Sequence, residues 1–123
     1  MKDKFFVGLT NADGTMTQTL FNNDMFEFSD AIKAAVGYSI ENKTRTCVIS
    51  LGRKVEGLPG ELTFSNGNVM FGHSFQAYGL EGELIETNSD IKKVMKVCRS
   101  MKYKRVQIAL SNQQVSIMDT KGF

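Results

Sequence analysis

The sequence predicts an α+β domain: a mostly antiparallel sheet with two amphipathic helices packed on one face. Short segments rich in β-branched and aromatic residues alternate with turns that contain glycine and asparagine. Two longer segments carry apolar residues at helical spacing. With 123 residues, 41% of them hydrophobic, the chain has the length and composition of one folded domain spanning residues 1–123.

The first half of the chain is predicted to form a hairpin, a helix and a strand. Lys4 to Thr10 and Thr15 to Phe21 are the hairpin strands, joined by a turn with an Asp-Gly step. Ser29-Asp30 is the predicted N-cap of the first helix. The inward stripe of that helix consists of Ile32, Ala35, Val36, Ser39 and Ile40. Thr44 to Leu51 is rich enough in β-branched and apolar residues to be a central strand.

The middle of the chain is predicted to be a connection followed by short strands. Gly52 to Gly60 contains the only proline and is a connecting segment. Glu61 to Phe64 and Val69 to Phe75 flank an Asn-Gly turn and therefore predict a second hairpin. Glu81 to Leu84 alternates charged with small or apolar residues, which indicates a short, half-exposed strand.

The last third contains the strongest pattern in the sequence, a capped amphipathic helix that leads into a strand. Ser89-Asp90 opens it, and its apolar stripe consists of Ile91, Val94, Met95, Cys98 and Met101. Val106 to Leu110 and Val115 to Met118 then form a closing hairpin.

The two helical segments align with each other when Ala31 is deleted. This register pairs Ala35-Val36 with Val94-Met95, Lys43 with Lys102, Ile49 with Ile108, and Leu51 with Leu110. An ancient duplication of a hairpin-helix-strand unit would produce such an alignment. Two unrelated units that obey the same burial rules would also produce it, so both origins stay open.

Composition and motifs argue against several classes of function. The net charge of +2 is too small to predict nucleic-acid binding for the whole molecule. The single histidine, His73, excludes a metal site with several histidines and is interpreted as structural, and no phosphate-binding, zinc or calcium motif occurs. The cysteines, Cys47 and Cys98, lie in apolar patterns that predict two buried thiols. We therefore expect a non-enzymatic protein without a cofactor.

The N-terminal sequence and the lengths of the apolar runs predict where the protein acts. The first residues lack the apolar core of a signal peptide, and no apolar run has the length of a membrane span. These patterns predict a cytoplasmic protein that does not enter a membrane.

The candidate site is a basic surface on the second helix and the strand that follows it. Seven of the fifteen lysines and arginines lie within the fourteen residues from Lys92 to Arg105, without an acidic residue among them. Cations in such a row suit the phosphates of a polyanion, most of all nucleic acid, and an aromatic ring between them suits a base. The predicted binding residues are Lys92, Lys93, Lys96, Arg99, Lys102, Tyr103, Lys104 and Arg105.

Three other interpretations of this chain stay open. The charged side of an amphipathic helix is often only a solvated surface, and part of the charge could pair with Glu81, Glu83 and Glu86. A phosphorylated small ligand would also suit the cations. A protein-binding inhibitor or adaptor, such as a viral accessory protein, or a homo-oligomer would instead use an exposed apolar patch. The candidates for that patch are Met25, Phe26, Phe71, Phe75 and Tyr78.

Overall fold

The structure, a computed structural model, describes residues 4–50 and 61–121. Within these residues it confirms the α+β class, with two helices and two antiparallel sheets. The elements follow the order β1 Phe5–Thr10, β2 Met16–Thr19, α1 Phe28–Glu41, β3 Arg45–Ser50, β4 Leu62–Ser65, β5 Asn68–Val69, β6 Phe75–Tyr78, β7 Leu84–Asn88, α2 Ile91–Ser100, β8 Arg105–Leu110 and β9 Gln113–Asp119. The predicted connection Gly52 to Gly60 lies outside the described residues.

The chain forms two compact units, Met1–Met70 and Phe71–Phe123, each with its own sheet and helix. The first sheet has the strand order β2-β1-β3-β4-β5, and the second has the order β7-β6-β8-β9. The sequence predicted one sheet carrying both helices, so the observed arrangement differs from the prediction although the fold class agrees. The division falls within the predicted strand Val69 to Phe75. Phe71 and Gly72 have φ angles of 60° and 80°, which a continuing strand cannot adopt.

Apolar side chains between α1 and its sheet form the core of the first unit. The Thr46 hydroxyl donates a hydrogen bond of 2.8 Å to the Ala35 carbonyl of α1, which identifies the sheet face under the helix. Val7, Val48 and Phe64 lie on the same face by strand register and are fully buried. Burying each such side chain stabilises the fold by roughly 1.5–3 kcal/mol. A second buried cluster, on the opposite face, consists of Phe6, Met16, Cys47 and Ile49.

The helix α2 packs on β6 and β7 in the second unit, and its buried residues confirm four of the five predicted stripe residues. These residues are Ile91, Val94, Met95 and Cys98, whereas Met101 is 55% exposed. The Asp90 carboxylate caps the helix by accepting a hydrogen bond of 2.9 Å from the Lys92 N–H. Both cysteines are free and buried, as predicted. Burial raises the pKa of the Cys47 thiol to about 11, so it stays protonated at neutral pH.

Several element boundaries differ from the prediction, and those of α1 and β7 have an identifiable physical reason. The helix α1 begins at Phe28, so Ser29 and Asp30 lie inside its first turn and do not cap it. The Phe28 ring packs on the Phe5 ring with 5.0 Å between centroids, a contact that sequence spacing does not show. The strand β7 begins at Leu84, three residues later than predicted, because the chain turns at Gly82 with a φ of 94°.

The two units share one connectivity, which supports the predicted internal repeat. In each, a hairpin leads into a helix, and the next strand pairs antiparallel with the first strand of that hairpin. The following strand, β4 or β9, then pairs antiparallel with this one. The order β2-β1-β3-β4 in the first sheet therefore corresponds to β7-β6-β8-β9 in the second.

The predicted repeat register is correct in the helices and shifts by one residue in the strands. Ala35-Val36 and Val94-Met95 are buried at equivalent helix positions. The strands β3 and β8, however, begin at Arg45 and Arg105. The separation of these two residues in the sequence is one position greater than that of equivalent residues in the two helices. Val48, which is paired with Val7, therefore corresponds to Ile108, which is paired with Ala77. The extra residue in the second unit is Lys104, so it adds a cation where the chain leaves the helix.

The buried hydroxyl of Ser39 gives a test of this core. It donates to the Val36 carbonyl at 2.7 Å and accepts the Gly67 N–H at 2.9 Å. Ser39→Ala leaves that buried N–H without its acceptor, so we expect the free energy of unfolding in urea to fall by roughly 1–3 kcal/mol. Ser100 donates to the Val97 carbonyl in the same way but is exposed. Ser100→Ala is the matched control and should change stability by less than about 0.5 kcal/mol; equal losses in both variants would contradict the assignment.

Candidate functional site

The predicted basic surface is exposed on α2. Lys92, Lys93 and Lys96 are all exposed, because the buried stripe of the helix occupies the other side. Arg99, also exposed, stands in the last helical turn. A cation in this position interacts favourably with the negative partial charge at the helix C-terminus.

A tight turn at the end of α2 brings the remaining cations together. The Tyr103 N–H donates to the Cys98 carbonyl at 3.0 Å, and the Lys102 N–H donates to the Arg99 carbonyl at 2.9 Å. These two bonds form a Schellman motif, whose left-handed position is usually occupied by glycine. Here Lys102 occupies it with a φ of 67°. The turn therefore sends the chain from α2 towards β8 while keeping a lysine side chain at the corner.

Three chain segments meet around one shallow groove of about 460 Å³, here called the cationic groove. They are the last turn of α2, the turn that follows it and the end of β9. The residues that line the groove are Arg99, Lys102, Tyr103, Lys104, Asp119, Thr120 and Lys121. Four of these side chains are cations and one is a carboxylate, so the groove attracts anions.

Hydrogen bonds through Thr120 fix the floor of the cationic groove. The Thr120 N–H donates to the Lys104 carbonyl at 2.9 Å, and its hydroxyl lies 2.8 Å from the Tyr103 carbonyl. The Arg99 guanidinium donates from Nη1 to the Thr120 carbonyl. The Asp119 carboxylate accepts the Lys121 N–H at 3.0 Å. The backbone that carries Lys104 and Lys121 is therefore held in place, with Thr120 only 3% exposed.

A second groove, of about 480 Å³, lies on the other side of Tyr103 and is here called the mixed groove. It is lined by Leu80, Glu81, Glu83, Lys102, Tyr103, Lys104 and Arg105. The Tyr103 hydroxyl donates a long hydrogen bond of 3.4 Å to the Glu83 carboxylate. Partial desolvation, followed by the nearby charge of Glu83, raises the pKa of Tyr103, so the hydroxyl stays protonated at neutral pH.

The structure brings five of the eight predicted residues into these two grooves. Lys102, Tyr103 and Lys104 line both, Arg99 lines the cationic groove, and Arg105 lines the mixed groove. The predicted residues on α2 that line neither groove are Lys92, Lys93 and Lys96.

The sequence pattern did not indicate the contribution of the chain end, where Asp119 closes β9 and Thr120 and Lys121 follow it. The available signal was the closing hairpin, since an antiparallel partner of Arg105 must follow the turn. The structure pairs Arg105 with Asp119.

The apolar residues suggested as a partner surface have very different environments. Met25 is 53% exposed and Phe71 is 60% exposed, whereas Phe75 is fully buried and was therefore wrongly included. Phe26 and Tyr78 are half-buried.

His73 has the structural role that the sequence predicted. Its Nδ1 lies 2.8 Å from the Ser111 hydroxyl oxygen, which also accepts the Ser74 N–H at 3.3 Å. The Asn112 N–H donates to the Gln76 side-chain oxygen at 3.0 Å. Because these groups are engaged with one another, they hold the turn between β8 and β9.

Two kinds of functional feature are absent from the described residues. Residues 4–50 and 61–121 contain no group of three or more histidine, cysteine or acidic side chains arranged to hold a metal ion. Among the same residues, neither helix is long and apolar enough to cross a membrane. Comparisons with protein-family models, curated proteins and solved structures find no match to this chain.

Lys102 and Lys43 provide a matched test of the helix-ending turns. Both have positive φ angles, 67° and 50°, immediately after a helix, and only Lys102 lines the grooves. A left-handed conformation costs a non-glycine residue roughly 1–2 kcal/mol, a cost that glycine avoids. Part of this gain in stability is offset, because glycine makes the unfolded chain more flexible. We expect Lys102→Gly and Lys43→Gly each to raise the free energy of unfolding in urea by about 0.5–1 kcal/mol. A loss of stability in either would show that the lysine side chain supports its turn.

Proposed function

We propose that this protein binds nucleic acid and that phosphates occupy the cationic groove. The observation that carries the proposal is the convergence of Arg99, Lys102, Lys104 and Lys121 on one fixed surface that contains a single carboxylate, Asp119. If these cations only kept a helix surface solvated, they would not need to converge from three segments of the chain. Arginine and lysine side chains also have the chemistry that phosphate oxygens require.

Side-chain cations, and not backbone groups, must supply the binding. The groove lies at the C-terminal end of α2, where the helix dipole presents negative partial charge and disfavours an anion. The Schellman turn uses the Lys102 and Tyr103 N–H groups within the protein. Phosphate binding at this end therefore depends on the four cationic side chains, so each substitution among them should have a measurable effect.

The residues Lys92, Lys93 and Lys96 extend the positive surface along α2, and they stay part of the proposed interface. Their exposed ammonium groups lie outside both grooves, so they would attract a polyanion over a longer range without fixing its position. A cytoplasmic location, a non-enzymatic role, a homo-oligomer, a viral origin and a protein partner stay predictions from the sequence.

The first test is a titration of the purified protein with fluorescent single- and double-stranded oligonucleotides across a salt series. If four phosphates are contacted, the logarithm of the binding constant should fall with the logarithm of salt concentration with a slope of roughly −3 to −4. Lys102→Gly removes one cation and should reduce that slope by about one while keeping the fold. Lys43→Gly, which makes the same change outside the groove, should bind like the wild type.

Charge reversal gives a stronger version of the same test. Lys104→Glu replaces a groove cation by an anion, and Lys33→Glu makes the same change at an exposed position of α1. We expect Lys104→Glu to lose at least about tenfold in affinity at low salt, because a phosphate would then meet a like charge. Equal losses in the two variants would mean that binding follows net charge alone. No binding by the wild type at low salt would remove nucleic acid and leave a phosphorylated small ligand or a protein partner.

A further inference from the structure

Tyr103 belongs to the lining of both grooves, together with its neighbours in the chain. It is half-buried, and its neighbours in the chain, Lys102 and Lys104, are exposed. Its hydroxyl points to Glu83, and its backbone carbonyl is engaged by Thr120. An aromatic ring held at both ends between two lysines can offer a fixed partial surface on which a base can stack.

The two sides of Tyr103 differ in their balance of charge. The cationic groove carries four cations and one carboxylate. The mixed groove carries the carboxylates of Glu81 and Glu83, the apolar side chain of Leu80, which is 56% exposed, and the cations Lys102, Lys104 and Arg105. The excess of positive charge is therefore larger in the cationic groove, and a phosphate backbone is attracted more strongly to that side.

This asymmetry discriminates between single strands and duplexes. A duplex presents two phosphate rows with its base edges turned towards each other, so a second row would lie beside Glu81 and Glu83, where the excess of positive charge is smaller. A single strand can place its phosphates on one side and an unstacked base on the other. Carboxylate oxygens accept hydrogen bonds from exocyclic amino groups, such as N4 of cytosine, which stands at the outer corner of the base and has two hydrogens. Thymine offers one donor on its pairing edge, the ring N3–H, and the acceptor oxygens O2 and O4 that flank it repel a carboxylate.

We propose that the ligand is a single strand that crosses the surface at Tyr103, with phosphates in the cationic groove and an amino-bearing base stacked on the ring with its edge towards Glu81 and Glu83. This inference rests on the proposed nucleic-acid function and adds a substrate class and a base preference to it. The residues that set the preference lie outside the basic helix, in the segment between β6 and β7.

The test compares fluorescent dC and dT homopolymers with a duplex of equal length, at one pH near neutrality and one salt concentration. We expect the dC strand to bind severalfold more tightly than the dT strand, and both to bind more tightly than the duplex. Tyr103→Leu keeps an apolar side chain but removes the stacking surface, so it should lose roughly tenfold for single strands and little for the duplex. Tyr103→Phe retains the ring and should stay within about twofold of the wild type for the dT strand.

Substitution of the carboxylates gives a second measurement, in which the affinity should rise instead of fall. The double variant Glu81→Gln/Glu83→Gln removes two negative charges and should therefore bind every oligonucleotide more tightly. It should also reduce the ratio of dC to dT affinity towards one, an effect that a purely electrostatic role could not produce. Circular dichroism and urea unfolding of each variant establish that the unit is folded.

The outcomes separate this inference from the function on which it rests. Wild-type binding to no oligonucleotide would overturn both. Salt-dependent binding that is lost in Lys104→Glu, together with equal affinity for single strands and duplex, would overturn the single-strand inference and leave the proposed function intact. A dC to dT ratio of one in the wild type, or full single-strand affinity in Tyr103→Leu, would likewise overturn the inference alone.

Discussion

The end of α2 is the constraint on which the candidate site depends. The bonds from Tyr103 N–H to the Cys98 carbonyl and from Lys102 N–H to the Arg99 carbonyl close the helix and fix where the chain leaves it. One residue fewer or more in this turn would change which residue begins β8, and since side chains alternate along a strand, it would reverse the face towards which Arg105 points. The bonds of Thr120 then hold the end of β9 against this turn.

The first unit ends its helix with the same kind of turn but does not carry the candidate site. Its helix also ends in a left-handed lysine, Lys43, and the Thr44 N–H reaches back to the Ser39 carbonyl at 3.2 Å. The strand β3 begins directly after this turn, whereas β8 begins one residue later, after Lys104. Duplication followed by a one-residue insertion would explain both the shared connectivity and the difference. The unit with the additional residue is the one in which cations converge.

Helical segments were predictable because their signals are local. The spacing of Ile91, Val94, Met95 and Cys98 specifies a buried stripe within a few turns, and Asp90 caps the helix from the adjacent position. The division into two sheets was not predictable, because it depends on positive φ angles at Phe71 and Gly72 that alternating apolar residues do not reveal. The start of α1 likewise depends on the Phe5–Phe28 contact, whose partners are far apart in sequence.

The candidate site was half predictable for the same physical reason. Its predicted cations lie close together in the sequence, but the other residues that line the grooves come from the end of β9, from the two residues after it, and from the segment before β7. A left-handed lysine at the corner is less favourable for folding than glycine would be, because glycine adopts this conformation without steric cost. The conformational preference of the backbone therefore explains neither Lys102 nor Lys43, which has the same conformation in the first unit and lines neither groove.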